Sequence, residues 1–265
     1  MALTFPHRPG LAAYVTCGDP DLDTSREVIL AAIRAGADVI ELGVPFSDPV
    51  ADGPVIQRAS ERALQAGTTL ALVLKLAKEI RRQEPNVGLL IFSYLNPLIR
   101  MGLENLATAA NSAGIDGVLV TDLPVEEADQ HLAIMRRHQL DTVFLAAPTS
   151  PDERLKAICD ASRGFIYAVS RTGITGTRQE VAVDASGLVK RIKQFTKLPV
   201  AVGFGISNAQ QFAEVTSFAD AAVVGSGIVQ VIENAGRGEA AAKAVHEFIS
   251  DLLRPSSQTA KVTTS

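Results

Sequence analysis

The chain has 265 residues, 47 % of them hydrophobic and 20 % charged, with a formal net charge of −4. That composition supplies a large apolar core and excludes global disorder, and no excess of basic residues is present to hold nucleic acid. The longest apolar stretches, Val87–Leu95 and Ala221–Ile232, fall short of the roughly 20 residues of a membrane-spanning helix. The first ten residues contain Pro6, His7, Arg8 and Pro9 and lack the apolar stretch of a secretory signal. Cys17 and Cys159 fit no metal-ligand spacing and point to a reducing, cytoplasmic setting, although two cysteines could also pair.

Short β-branched or apolar runs recur along the chain, and the pattern predicts strands at Leu11–Thr16, Asp38–Leu42, Val87–Phe92, Gly117–Thr121, Thr142–Ala146, Gly164–Val169, Pro199–Gly203 and Ala221–Val224. Amphipathic helical spacing fills the intervals. Residues Thr24–Ala35 align Val28, Ile29, Ala32 and Ile33, and Val125–His138 aligns Leu132, Ile134 and Met135 less cleanly. Asp21 or Asp23, Ser150-Pro151 and Ser207 are expected to open helices, and Gly36, Asn111 and Gly114 to close them. Strands that alternate with helices pair in parallel, and eight such units within about 250 residues predict an α/β single-domain (β/α)8 barrel over residues 1–254. An open doubly wound sheet is the competing architecture, but Cys17-Gly18-Asp19-Pro20 replaces the glycine-rich turn that it needs after the first strand. Residues 255–265, rich in Ser, Thr and Gln, are expected to form a disordered tail.

In a (β/α)8 barrel the working groups lie at the carboxyl ends of the strands. The four histidines lie in the amino-terminal arm or on helices, so no histidine-based metal site is expected. The eight lysines avoid strand ends, which argues against Schiff-base chemistry. What remains at that face is Asp19, Glu41, Asp48, Asp52 and Asp122, with Tyr14, Tyr94 and Tyr167, and with Arg171 opening a long hydrophilic loop. Alternation along Asp38–Leu42 puts Glu41 on the face of Val39, opposite Ile40 and Leu42. If Ile40 and Leu42 meet the helices, Glu41 enters the barrel mouth, where desolvation raises its pKa. A strand-end Glu could instead cap a neighbouring helix. Asp48 and Asp52 lie on a loop stiffened by Pro45, Pro49 and Pro54, where either could also serve only as a turn residue. Gly203-Phe204-Gly205 and Gly225-Ser226-Gly227 follow the last two strands, the usual place for a phosphate in such barrels. The alternative for each pair is a tight turn.

The segment Glu41–Gln57 resembles the signature of the tryptophan synthase alpha subunit throughout its length. Thr16–Pro20, Tyr94–Pro97, Asp122–Glu127, Tyr167 with Ser170–Gly176, Gly203–Ser207 and Gly225-Ser226 extend the likeness, which runs from about Gly10 to Leu253. The resemblance implies retro-aldol cleavage of indole-3-glycerol phosphate to indole and glyceraldehyde 3-phosphate. It assigns proton transfer to Glu41 and the indole N–H to Asp52. Tyr14, Phe92, Leu119, Tyr167 and Thr175 would line the substrate pocket, with Thr175 closing onto Asp52. Gly176, Phe204, Gly205, Gly225 and Ser226 would hold the phosphate. It implies no cofactor or metal in this chain, and a beta-subunit partner carrying pyridoxal phosphate in an α2β2 assembly that meets the Pro45–Pro54 loop. A non-catalytic activating partner and an unrelated sugar-phosphate barrel enzyme are the rival readings. Relatives usually close the barrel bottom with an extra short helix. Here Pro6 and Pro9 predict none.

Overall fold

The computed structural model describes residues 3–169, 178–203 and 205–254, with no side chains described for 178–183. Among these residues the parallel strands are β1 (Gly10–Thr16), β2 (Val39–Gly43), β3 (Gly88–Ser93), β4 (Gly117–Val120), β5 (Asp141–Val143), β6 (Leu145–Ala146), β7 (Ile166–Val169), β8 (Val200–Gly203) and β9 (Ala221–Val224). Hydrogen bonding orders them β5-β4-β3-β2-β1-β9-β8-β7-β6. The two end strands are consecutive in the chain and separated only by Phe144, so the sheet closes on itself. Thr142–Ala146 is one run in the sequence that changes partner midway: Val143 pairs with Leu119 of β4, and Leu145 with Tyr167 of β7. The result is the expected (β/α)8 barrel, its fifth strand broken at one residue.

The helices are α1 (Leu22–Ala35), α2 (Pro54–Gln65), α3 (Leu70–Gln83), α4 (Leu95–Met101), α5 (Leu103–Ala113), α6 (Asp129–Arg137), α7 (Asp152–Ala161), α8 (Arg178–Ile192), α9 (Ala209–Thr216), α10 (Ser226–Ala235) and α11 (Gly238–Leu253). Asp21 caps α1 by accepting the Thr24 N–H at 2.7 Å, and Gly36 ends it at φ 114°, a left-handed conformation that side chains resist. The cap of α9 is Asn208 rather than Ser207, and Asn111 lies inside α5, which Gly114 terminates. The imperfect periodicity of Val125–His138 has a cause: a 3-10 turn at Val125–Glu127 precedes α6 and rotates the helical face.

Alternate strand residues divide the core into two layers. Leu11, Ala13, Val15, Ile40, Leu42, Leu89 and Ile91 face the helices, while Ala12, Val39, Leu90, Leu119 and Val143 fill the barrel. Three aspartates just ahead of β2, β4 and β9 tie the bottom rim together. Asp38, Asp116 and Asp220 accept the N–H groups of Leu11, Leu89 and Val200 at 3.0, 2.9 and 3.0 Å.

The amino-terminal arm plugs the bottom as an extended segment, without a helix. Leu3 (0 % exposed) and Phe5 (7 %) join the barrel-interior cluster, Phe5 meets Phe165 edge-on at 5.3 Å, and the Leu3 N–H donates to Asp141. Gly117 and Gly164 make room for Leu3. A Cβ at either position would lie 2.8 or 2.9 Å from its side chain. No helix of the described residues is long and apolar enough to cross a membrane.

Candidate active site

Glu41 follows Val39 by two residues on β2 and shares its interior face, because Ile40 and Leu42 pack outward. Its carboxylate is fully buried, and among the described residues neither oxygen has a hydrogen-bond partner. Burial alone pushes its pKa up to about 8. Tyr14 stands beside it across the β1–β2 ladder. The Tyr14 hydroxyl lies over Gly43 and accepts from the Thr16 hydroxyl at 3.4 Å. On the far side, the Tyr167 hydroxyl lies over Gly203, where a Cβ would sit 2.6 Å from it. Phe92 bridges the two phenols, 5.2 Å from the Tyr14 ring and 6.4 Å from that of Tyr167.

Asp52 reaches the same mouth from the proline-rich loop. Tyr94 donates its hydroxyl to Asp52 Oδ2 at 3.2 Å and accepts the Ala51 N–H at 2.9 Å, so one phenol anchors both the carboxylate and its backbone. Pro54 then opens α2, which requires no N–H from it. Burial raises the Asp52 pKa to about 6, with the Tyr94 hydrogen bond opposing the shift. Both phenols record the convergence of the two acids. Tyr14 is pushed well above the ordinary phenol range by burial, then by Asp52 and Glu41, and Tyr167 by burial, then by Glu41 and Asp52. Glu41 and Asp52 therefore occupy the same end of the barrel.

The other acids of that face have different duties. Asp19 is buried and held bidentately by Arg62, Asp48 is exposed and takes the Ser47 hydroxyl, and Asp122 accepts the Leu95 N–H at the start of α4. Burial pushes the Cys17 thiol up to about 12, which leaves it protonated and unreactive at neutral pH.

A cavity of about 670 Å³ opens at the mouth. Its lining includes Asp52, Phe92 and Tyr167 together with Gly203, Gly205, Gly225 and Ser226. Among the described residues helix α10 begins here with no side-chain cap and no acid in its first turn, which suits its amino terminus to an anion. Side chains close the first turns of α1, α3 and α9 (Asp21, Thr69 and Asn208), while α2, α4, α5, α6, α7 and α11 start uncapped as α10 does, so its place at the mouth is what distinguishes it. Of the expected site residues, Glu41, Tyr14 and Leu119 are buried in the barrel interior rather than on the cavity wall. Thr175, Gly176 and Phe204 lie outside the described residues. Sequence reasoning did not single out Thr121, Leu145, Val223 or the α2 residues Val55 and Ile56, which also line the cavity. Interior alternation on the strands was a usable clue to Leu145 and Val223. A second hollow of about 710 Å³ lies along the loop and α2, lined by Phe46, Pro49, Val50 and Leu64 among others, and neither Glu41 nor Asp52 faces it. Among the described residues no group of three or more His, Cys, Asp or Glu is arranged for a metal ion.

A closed parallel barrel with one carboxylate at its mouth and a second buried beneath it, set against a helix end at the mouth, defines the class: a (β/α)8 enzyme suited to acid–base chemistry on an anionic substrate. The family model of the tryptophan synthase alpha chain matches residues 2–256, and the chain belongs to that family. It is 50 % identical over 248 residues to the tryptophan synthase alpha chain of Solibacter usitatus, covering 94 % of this chain and 92 % of that one. The alpha chain of Cupriavidus metallidurans is 46 % identical over 251 residues, covering 95 % and 94 %. Among solved structures, the tryptophan synthase α2β2 complex of Pyrococcus furiosus contains a chain that superposes with a TM-score of 0.87 at 40 % identity, covering 96 % of this chain and 99 % of that one.

Proposed function

We propose that this chain cleaves indole-3-glycerol phosphate to indole and glyceraldehyde 3-phosphate, with Glu41 as the proton-transfer group and Asp52 as the partner of the indole nitrogen. The observation that carries the reading is a buried carboxyl group, without a hydrogen-bond partner among the described residues, beneath the mouth that Asp52 borders. Glu41 holds its proton below about pH 8 and can deliver it to carbon 3 of the indole. Positive charge then develops on the ring nitrogen, beside an Asp52 that is ionised above about pH 6. The bond from carbon 3 to the side chain breaks, its electron pair restores the neutral indole, and the adjacent hydroxyl returns a proton to Glu41 as the aldehyde forms. Phe92 and Tyr167 offer ring faces to the substrate, with Tyr14 and Leu119 packed behind them. Gly205, Gly225 and Ser226 receive the phosphate at the α10 amino terminus; the resemblance adds Gly176 and Phe204 to the phosphate set and Thr175 to the substrate set.

The chain needs no cofactor of its own for these steps. Its partner is a beta subunit that carries pyridoxal phosphate and consumes the indole, in an α2β2 assembly like that of the Pyrococcus furiosus relative. Val50, 86 % exposed on the proline-rich loop, marks the surface offered to that partner. Cys17 and Cys159 are buried and unpaired, which suits the cytoplasm.

The direct test mixes the purified chain with indole-3-glycerol phosphate, with and without a beta subunit, and measures free indole. Absence of indole in both mixtures would favour the activating-partner reading. Two further results are expected. The pH dependence of kcat/KM is bell-shaped, with limbs near about 6 and about 8, and Asp52→Asn loses the acidic limb along with most of the activity. Ser226→Asp weakens substrate binding about tenfold or more by setting a carboxylate against the phosphate. Unchanged affinity in that variant would remove the anion from the α10 terminus.

A further inference from the structure

The proposed reaction fixes two ends of one substrate at once: the phosphate at the start of α10 and the indole nitrogen at Asp52, just before α2. Both helices start at the mouth, α2 with Pro54 and α10 with Ser226. They pack side by side, with Ala59 of α2 and Val229 of α10 closing on Tyr14. One turn further out the contact becomes ionic. Arg62 of α2 grips Asp19 of the β1–α1 loop through Nε (2.7 Å) and Nη2 (2.9 Å), and reaches Glu233 of α10 through Nη1 (2.7 Å). Arg58 takes Glu233 with a two-pronged grip of its own, at 2.9 and 2.7 Å. At 1.5 Å per residue, Arg62 and Glu233 lie roughly 10–12 Å along their helices from the mouth.

We infer that Arg62 is a positioning residue that sets the spacing between Asp52 and the anion-binding end of α10, and so tunes the site to the length of the substrate; this rests on the proposed function. Three elements that border or underlie the mouth meet at one planar guanidinium: the loop after β1, α2 and α10. A guanidinium presents donors in a rigid fork: Arg62 grips Asp19 and Arg58 grips Glu233 in that geometry, and the remaining Arg62 Nη1 joins the two pairs through a single bond. Arg62 and Glu233 are partly buried and the guanidinium is fixed on both sides, so the network is placed to set geometry. Asp19 is 2 % exposed, however, and removing Arg62 alone strands a buried charge. The double variant Asp19→Asn/Arg62→Met strands none.

The test compares binding of indole, glycerol 3-phosphate and indole-3-propanol phosphate, an analogue that joins the two ends but cannot be cleaved, by calorimetry on the wild-type chain, Arg62→Met and the double variant. Binding of a linked ligand depends on the spacing of its two subsites, whereas a fragment needs only one. In both variants the linked analogue is expected to bind about tenfold more weakly, with each fragment within about twofold of wild type. Should Arg62→Met fail to fold, the double variant and Asp19→Asn carry the comparison. Fragments and analogue weakening together would mean a merely structural role, and an unchanged analogue would mean none; either overturns the inference. Failure of the wild-type chain to bind the analogue would strike the substrate assignment itself and this inference with it.

Discussion

Glu41→Gln is expected to lose about a thousandfold in indole release, and at the same time to resist unfolding better than the wild type at alkaline pH. The first effect follows from removing the group proposed to give and take the proton. The second follows from linkage. Glu41 binds its proton up to about pH 8 in the folded chain but only to 4.5 when unfolded. Between those values the folded state holds more protons, so wild-type stability falls as pH rises through the window, and above it the full cost persists. Glutamine has no such dependence. His131 is also buried, with no partner for Nδ1 among the described residues, and burial lowers its pKa to about 4. Its effect has the opposite sign, stability being lost as pH falls from 6.5 toward 4, but it is common to both chains and cancels in their difference. Urea unfolding of the two proteins should therefore give stabilities that diverge by several kcal/mol between about pH 5 and about pH 8.5. A constant difference across that range would mean that Glu41 is solvated in solution, and the proposed acid–base role would lose its physical basis.

Glu41 also shows how far the chain could be read without coordinates. Period-two alternation from Val39 to Leu42 put it on the interior face, and the packing of Ile40 and Leu42 against the helices makes that face the barrel lumen. Strand positions were legible for the same reason, since each buried strand is a short apolar run punctuated by Gly, Asp or Pro. The break at Phe144 was not, because a change of pairing partner leaves the side-chain pattern of Thr142–Ala146 intact. Nor was the ionic cluster at Arg62. Asp19, Arg62 and Glu233 belong to three distant segments, and on its own each resembles any charged residue of a solvated turn or helix face. Tyr94 was visible as a phenol near the mouth, yet its hold on Asp52 and Ala51 depends on how the proline-rich loop folds back over β3. Local rules reveal faces and ends. Contacts between loops require the closed barrel.

Phe5→Ala is expected to cost about 3–5 kcal/mol, a large share of the stability of a single domain. The amino-terminal arm has two prolines, from which the sequence predicted no helix to close the barrel bottom. In the folded chain it is the lower plug of the barrel. Phe5 lies edge-on to Phe165, Leu3 fills the space left by Gly117 and Gly164, and His7 holds the buried Asp38 through Nδ1 at 2.5 Å. Truncating Phe5 opens a void among Leu3, Phe165 and the strand residues above them, and those strands cannot collapse without breaking the ladder that closes the barrel. The loss should appear as a lower urea midpoint with an unchanged slope, because the same surface is exposed on unfolding. Catalysis measured well below the melting range should stay within about twofold of wild type, since the plug and the mouth lie at opposite ends of the strands. A cost under about 1 kcal/mol would show that the arm does not occupy the barrel in solution, and the bottom would then need another seal.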